Sequence, residues 1–214
     1  MQFKSQETAR SYTQVAAQYA REYYREFEHK PLDRQLLDRF AEGITSSPPG
    51  PACDLGCGPG QVARYLKDRG VQDLFGLDIS PGMLAQARLL NPDIDFREGN
   101  MLALDLEDGS LAAIAIFYAI VHFAPAQLPE VFKELARVLR PGGQLLVAFH
   151  LGTDALHIDE LWDQQVDFEF YFFPRVIVEQ ALEQAGLSVQ EVVERDPYDE
   201  VEYQSRRAYI FARK

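Results

Sequence analysis

Apolar positions along the chain fall into three regimes. Between residues 8 and 42 they recur at helical spacing, with Tyr12, Val15, Ala16, Tyr19 and Tyr23 on one side. A second helical run, "PLDRQLLDRFAEGI", starts at Pro31, a residue suited to the first turn of a helix. "TSSPPGP" at 45–51 then breaks the periodicity. Beyond it, short apolar runs alternate with helical stretches. Strands are predicted at 52–55, 74–78, 94–99, from 111 onward and at 143–149, and helices at about 61–68, after Ser80-Pro81 and at about 126–139. Several of the strands are apolar on both faces, which predicts a mainly parallel sheet covered by helices on each side.

The last third reads differently. Residues 150–173 are irregular and aromatic, with Trp162, Phe168, Phe170, Tyr171, Phe172 and Phe173, and a helix from about Pro174 to Gln184 ends near Gly186. Two final strands, "LSVQEVVER" and "RRAYIFAR", lie too close in sequence for a helical crossover, so they are expected to pair antiparallel. The reading is one domain over 1–214, with 1–45 as an N-terminal helical cap and 150–173 as an insertion over a substrate site.

Composition narrows the functional classes. The chain is 47% hydrophobic and 25% charged, as in ordinary globular proteins, and no apolar run approaches a membrane span. The polar start "MQFKSQETAR" lacks the pattern of a secretory signal. A formal charge of −12 argues against nucleic acid as a partner and leaves small molecules. Cys53 and Cys57 have no further cysteine or clustered histidine to complete a metal site, so no metal is expected and the thiols are read as reduced, in the cytoplasm.

Chemistry concentrates in "CDLGCGPGQ", residues 53–61, at the first strand-to-helix turn, where parallel sheets bind ligands. Gly56 permits a sharp exit from the strand, Gly58 and Gly60 allow close backbone approach, and the free N–H groups of the next helix point at the ligand. The following strand ends in Asp78, whose carboxylate can accept two hydrogen bonds from ribose hydroxyls. A nucleoside is implied. The dinucleotide fingerprint needs glycine where Gln61 stands, so the spacing is G-x-G-x-G, preceded by Asp54.

That pattern, with "GLDISPGML", "GNMLALDLEDGSLAAIAIFYAIVHF" and "LARVLRPGGQLLVAF" following in order, resembles the class I S-adenosylmethionine-dependent methyltransferases over about residues 8–213. The resemblance implies a Rossmann-like, doubly wound α/β fold with a mostly parallel seven-stranded sheet in the order 3-2-1-4-5-7-6. Its cofactor would be S-adenosylmethionine, leaving as S-adenosylhomocysteine. The Gly56, Cys57, Gly58 and Gly60 loop would lie under the amino-acid part, and Asp54 would orient either the loop or the ammonium group. Asp78 would hold the ribose, Ile79 and Met83 would pack on the adenine, and Met101 and Leu102 would cover its other face. Asn100 stands where the family usually has an aspartate accepting from the adenine amino group. Tyr118, Tyr12 and Tyr19 complete the expected cofactor set, the last two equally readable as core packing.

The activity so implied is methyl transfer to an oxygen or nitrogen of a small-molecule acceptor. Two other readings stand beside it: a cofactor-binding protein or non-methylating enzyme on the same fold, and an NAD-dependent oxidoreductase, which Gln61 and the terminal hairpin disfavour. His122, after the fourth strand, and His150, past the fifth, are the candidate general bases, each alternatively a structural histidine. Glu202 and Arg207 are placed to form an ion pair holding their loop over the site, or to contact a polar substrate.

Overall fold

A computed structural model describes residues 5–214. Helix α1 (Ser5–Tyr23) and α2 (Pro31–Thr45), the latter with Pro31 in its first turn, precede the alternating region. There follow β1 (Ala52–Leu55), α3 (Gln61–Asp68), β2 (Leu74–Asp78), α4 (Pro81–Leu90), β3 (Asp95–Glu98), β4 (Leu111–Phe117), α5 (Leu128–Val138) and β5 (Leu139–His150). The chain ends with β6 (Ala155–Leu161), β7 (Gln164–Tyr171), α6 (Arg175–Gln184), β8 (Ser188–Arg195) and β9 (Arg207–Arg213).

The main sheet has the order β3-β2-β1-β4-β5-β9-β8. Its first five strands run parallel, and β9 pairs antiparallel with both β5 and β8. This is the Rossmann-like arrangement, with the last strand inserted as the sequence leads one to expect. Strand alternation builds a core on each face. Leu145, Val147 and Phe149 of β5 join the layer under α5 and α6, whereas Leu146 and Ala148 join the layer under α2, α3 and α4. A third, smaller cluster joins Val15 of α1 to Val166 and Phe168 of β7. Helix α1 therefore packs between the hairpin and α4, away from the sheet faces.

Two expectations change. Strand β5 begins at Leu139 rather than 143, with a register shift opposite Leu111–Ala113 where the Pro141-Gly142-Gly143 turn sits. More consequentially, 150–173 is not irregular: β6 and β7 form an antiparallel hairpin pairing Leu156 with Phe170 and Ile158 with Phe168. The tight turn is Trp162-Asp163, both left-handed at φ 51 and 60, a conformation usually announced by Asn-Gly or Asp-Gly. No such dipeptide is present, although the alternation in "VDFEFYF" carried the strand signal.

Candidate functional site

The loop after β1 is fixed from below and open above. Gly56 N–H and Cys57 N–H donate to the Leu77 carbonyl at 2.8 and 3.0 Å, tying the loop to β2. Asp54 Oδ2 accepts from Ala63 N–H at 2.9 Å, anchoring the first turn of α3, and burial pushes its carboxyl up to about 7. Asp54 thus ties β1 to the start of α3, and it lines neither of the two chambers described below. Gly60 (φ 86) precedes α3, and a Cβ there would stand 2.8 Å from Asn91 Nδ2 and Phe96 Cζ, so it serves packing behind the loop. Gly58 (φ 52) is different. A Cβ on it would meet nothing within 4 Å.

Asp78 joins both loops: Oδ2 accepts from Gly58 N–H and Oδ1 from Ser80 N–H, each at 2.8 Å. Burial raises its pKa. With the Ile79 N–H also drawing on it, the carboxylate still has lone-pair capacity to spare. Ser80 also caps α4, its Oγ accepting from Met83 N–H at 3.2 Å. Above this floor lies a chamber of about 90 Å³, bounded by Gly56, Gly58, Asp78, Ile79, Met83 and Met101, with Tyr12, Tyr19, Tyr118 and His122 across it. Asn100 and Leu102, two of the expected cofactor residues, do not line this chamber. Asn100 Oδ1 accepts from Leu102 N–H at 3.0 Å within its own turn, in a separate surface depression, and Leu102 packs toward the core under α5.

Tyr12 and Tyr19 project from α1 with their rings edge to face, centroids 5.9 Å apart. Helix α1 lies close on the start of α4: Thr13 Oγ1 and Ser80 Oγ are 3.0 Å apart, and a Cβ on Gly82 would come within 2.7 Å of Thr13 Cα. Tyr12 Oη and His122 Nε2 are 2.8 Å apart, and His122 Nδ1 is 3.0 Å from the Glu169 carbonyl of β7. A carbonyl only accepts, so Nδ1 carries the proton and Tyr12 O–H donates to Nε2. Burial lowers the His122 pKa to about 4. With both nitrogens engaged, His122 links α1 to the hairpin and has no lone pair for a substrate proton.

A larger chamber of about 310 Å³ adjoins the first, sharing Tyr12, Tyr19, Gly56, Phe117 and Tyr118. It runs from Cys57 and Gln61 at the start of α3 to the inner face of the hairpin. Tyr118 divides the two. Its backbone is left-handed at φ 56, and its hydroxyl is anchored through Tyr209 Oη (2.9 Å) to Asp33 Oδ1 (2.8 Å from Tyr209). His150 lines only the larger chamber. Its Nδ1 meets Ser205 Oγ at 2.7 Å, while Nε2 has no hydrogen-bond partner among the described residues. Burial first, then the Arg207 charge, lowers its pKa to about 3, so the ring is neutral near pH 7.

Sequence reading missed the buried ionic cluster behind this chamber. Lys30 Nζ lies 2.5 Å from Glu26 and 3.1 Å from Glu202, Arg195 reaches Asp33 (2.9 Å) and Glu202, and Glu202 lies 3.2 Å from Arg207, the expected loop-holding pair. Burial pushes the Glu202 carboxyl up, but Arg195, the Tyr198 N–H, Lys30 and Arg207 outweigh it and hold the pKa at about 2. Gln61 was likewise read only as a departure from a fingerprint. Its Nε2 donates to Glu26 Oε1 at 3.0 Å, and its Oε1 is buried without a partner in the described structure. Among the described residues no group of acidic, histidine or cysteine side chains has metal-binding geometry, and no helix is long and apolar enough to cross a membrane.

Sheet order and glycine loop are those of a Rossmann-like α/β fold, and comparison with known proteins narrows the class. Residues 52–143 match the model of a methyltransferase domain family. The demethylmenaquinone methyltransferase of Beutenbergia cavernae is 33% identical over 117 residues, covering 55% of this chain and 48% of that protein. The trans-aconitate 2-methyltransferase of Rhizobium meliloti is 37% identical over 136 residues, covering 62% and 48%. A solved S-adenosylmethionine-dependent methyltransferase from Methanosarcina mazei superposes with a TM-score of 0.68 at 16% identity, covering 76% of this chain and 91% of that one. The chain spans about half the length of the curated relatives it matches. Residues 52–143 are thus similar to a methyltransferase domain, and the chain shares the fold of solved S-adenosylmethionine-dependent methyltransferases.

Proposed function

We propose that the chain transfers the methyl group of S-adenosylmethionine to an oxygen or nitrogen of a small-molecule acceptor held in the larger chamber. The observation that carries this reading is the meeting of two chambers at Tyr118, one floored by Gly58 and Asp78, the other walled by aromatic side chains. The residues present fit the cofactor. The open space above Gly58 suits close backbone approach, the spare lone pairs of Asp78 suit ribose hydroxyls, and the orphan Gln61 Oε1 beside Glu26 suits an ammonium group. Ile79, Met83 and Met101 would flank the base. When bound, the cofactor supplies a methyl group on a positively charged sulfur.

What the chain itself contributes is positioning and dryness, which can account for several kcal/mol of barrier lowering. Tyr12 and Tyr19 close over both chambers, and His122 holds Tyr12 in place. His150 Nε2, neutral near pH 7, is the available hydrogen-bond acceptor for the nucleophile's O–H or N–H, at the sheet's carboxyl edge in the acceptor chamber. The two buried free cysteines suit a reducing, cytoplasmic setting, and the −12 charge suits neither nucleic acid nor other polyanions. Release of S-adenosylhomocysteine on incubation with a panel of hydroxyl and amine metabolites tests the reading. Turnover should fall with His150→Gln by about 10²-fold or more, with S-adenosylhomocysteine affinity kept. A protein that binds cofactor yet methylates nothing in such a panel would favour the non-methylating alternative.

A further inference from the structure

The larger chamber combines an aromatic wall with charges that are already spent. Leu156 and Ile158 of β6 and Phe170 of β7 present one face of the hairpin to it, because alternate residues of paired strands share a face. The rings continue around the chamber: Phe170 lies 5.5 Å from Phe168, and His150 lies 5.3 Å from Phe172 and 5.0 Å from Tyr118 between ring centroids. Four ionised side chains line the space, Glu26, Lys30, Glu202 and Arg207, two of each sign. They face one another. Lys30 Nζ is shared between Glu26 and Glu202, and Arg207 is held by Glu202 at 3.2 Å and by the Tyr203 carbonyl at 2.9 Å. An anionic ligand would find each lining cation already paired with a carboxylate, with Arg207 Nε the one donor among them left without a hydrogen bond in the described structure, and would recover little of its lost hydration.

Polar capacity beyond that cluster is small. At the aromatic end it consists of the Tyr19, Tyr23 and Tyr203 hydroxyls and, as the one ring nitrogen facing the chamber, His150 Nε2, on a ring tilted against Tyr118 and Phe172 and edge-on to Tyr203. Resting on the methyltransferase reading, we infer that the acceptor is an uncharged, flat, largely apolar ring compound that presents a single hydroxyl to His150, and that carboxylates are excluded. Specificity then follows from the hairpin face, and the β8–β9 loop carrying Glu202 and Tyr203 closes the chamber beside His150.

The test is calorimetric titration of the full chain, saturated with S-adenosylhomocysteine, with 2-naphthol and with 2-naphthoate, ring systems of the same shape that differ in charge. Naphthol should bind about tenfold tighter than naphthoate or better. Phe170→Ala should weaken naphthol about tenfold, and Phe170→Leu by less, with S-adenosylhomocysteine affinity unchanged in both. Naphthoate binding as tight as naphthol, or no naphthol binding at all, overturns the inference. If S-adenosylhomocysteine binds in that same experiment, the methyltransferase reading survives. Failure of S-adenosylhomocysteine to bind overturns both.

Discussion

Gly58 and Gly60 lie two positions apart in the same loop, yet the structure gives them opposite jobs, and alanine substitution separates these. At Gly58 an added methyl group meets no protein atom within 4 Å, so the folded chain bears only the left-handed φ of 52. That conformation costs an alanine about 1–2 kcal/mol, partly offset by about 0.4–1 kcal/mol from a less flexible unfolded chain. A net destabilisation of about 1 kcal/mol is expected. The methyl group would stand where the cofactor must lie, and a misfit of that size costs about 1–3 kcal/mol of binding, tenfold or more. At Gly60 the same methyl would press on Asn91 Nδ2 and Phe96 Cζ at 2.8 Å, and Asn91 holds the loop by donating to the Pro59 carbonyl. Overpacking together with φ 86 should cost about 3 kcal/mol of stability. Urea unfolding and calorimetric titration with S-adenosylhomocysteine on both variants give the two axes. Gly58→Ala should lose only about 1 kcal/mol of stability but bind weakly, and Gly60→Ala should lose about 3 kcal/mol. Wild-type affinity in Gly58→Ala would refute the placement of the ligand over this loop.

Three other consequences can be checked. His122 is neutral in the folded state with a pKa of about 4 against 6.5 unfolded, so the unfolded chain binds the extra proton and the stability His122 confers falls as pH drops through 6.5 toward 4. Relative to His122→Gln, the wild type should lose about 2 kcal/mol between pH 7 and 5 in denaturant titrations, and an unchanged difference would deny the burial. Glu202→Ala strips the carboxylate from among Lys30, Arg195 and Arg207 and should destabilise by about 3–5 kcal/mol, read as a lowered urea midpoint. Phe168→Ala, at a fully buried hairpin position, should cost about 3–5 kcal/mol of stability in the same measurement; a near-neutral effect would mean the hairpin does not pack against α1.

How much of this was legible in the sequence depends on the range over which each signal acts. Strands β1, β2 and β4 and helices α3 and α4 follow from local periodicity, Ser80-Pro81 and the glycine loop, because those signals lie within the element they specify. The β6–β7 hairpin escaped because its turn uses Trp162 and Asp163 in left-handed conformations without a glycine or asparagine to announce it. The ionic cluster escaped for a different reason: Asp33 and Arg195 are 162 positions apart, and only the sheet order brings them within 2.9 Å. The two histidines were equivalent as residues. Packing divides them, engaging both nitrogens of His122 and leaving one of His150 without a partner among the described residues. Asn100 was placed by its position after β3, but that its amide oxygen accepts from Leu102 N–H within its own turn is a tertiary detail no local pattern announces.

The central claim is that the space over Gly58 and Asp78 is built for S-adenosylmethionine. Calorimetric titration of the wild type and of Asp78→Ala with S-adenosylhomocysteine and with NAD addresses it most directly. The expected result is saturable binding of S-adenosylhomocysteine to the wild type, none of NAD, and a loss of about hundredfold or more in affinity for Asp78→Ala, since two ribose hydrogen bonds to a charged group go together. Binding of NAD without S-adenosylhomocysteine, or an Asp78→Ala protein that binds as the wild type does, would contradict it.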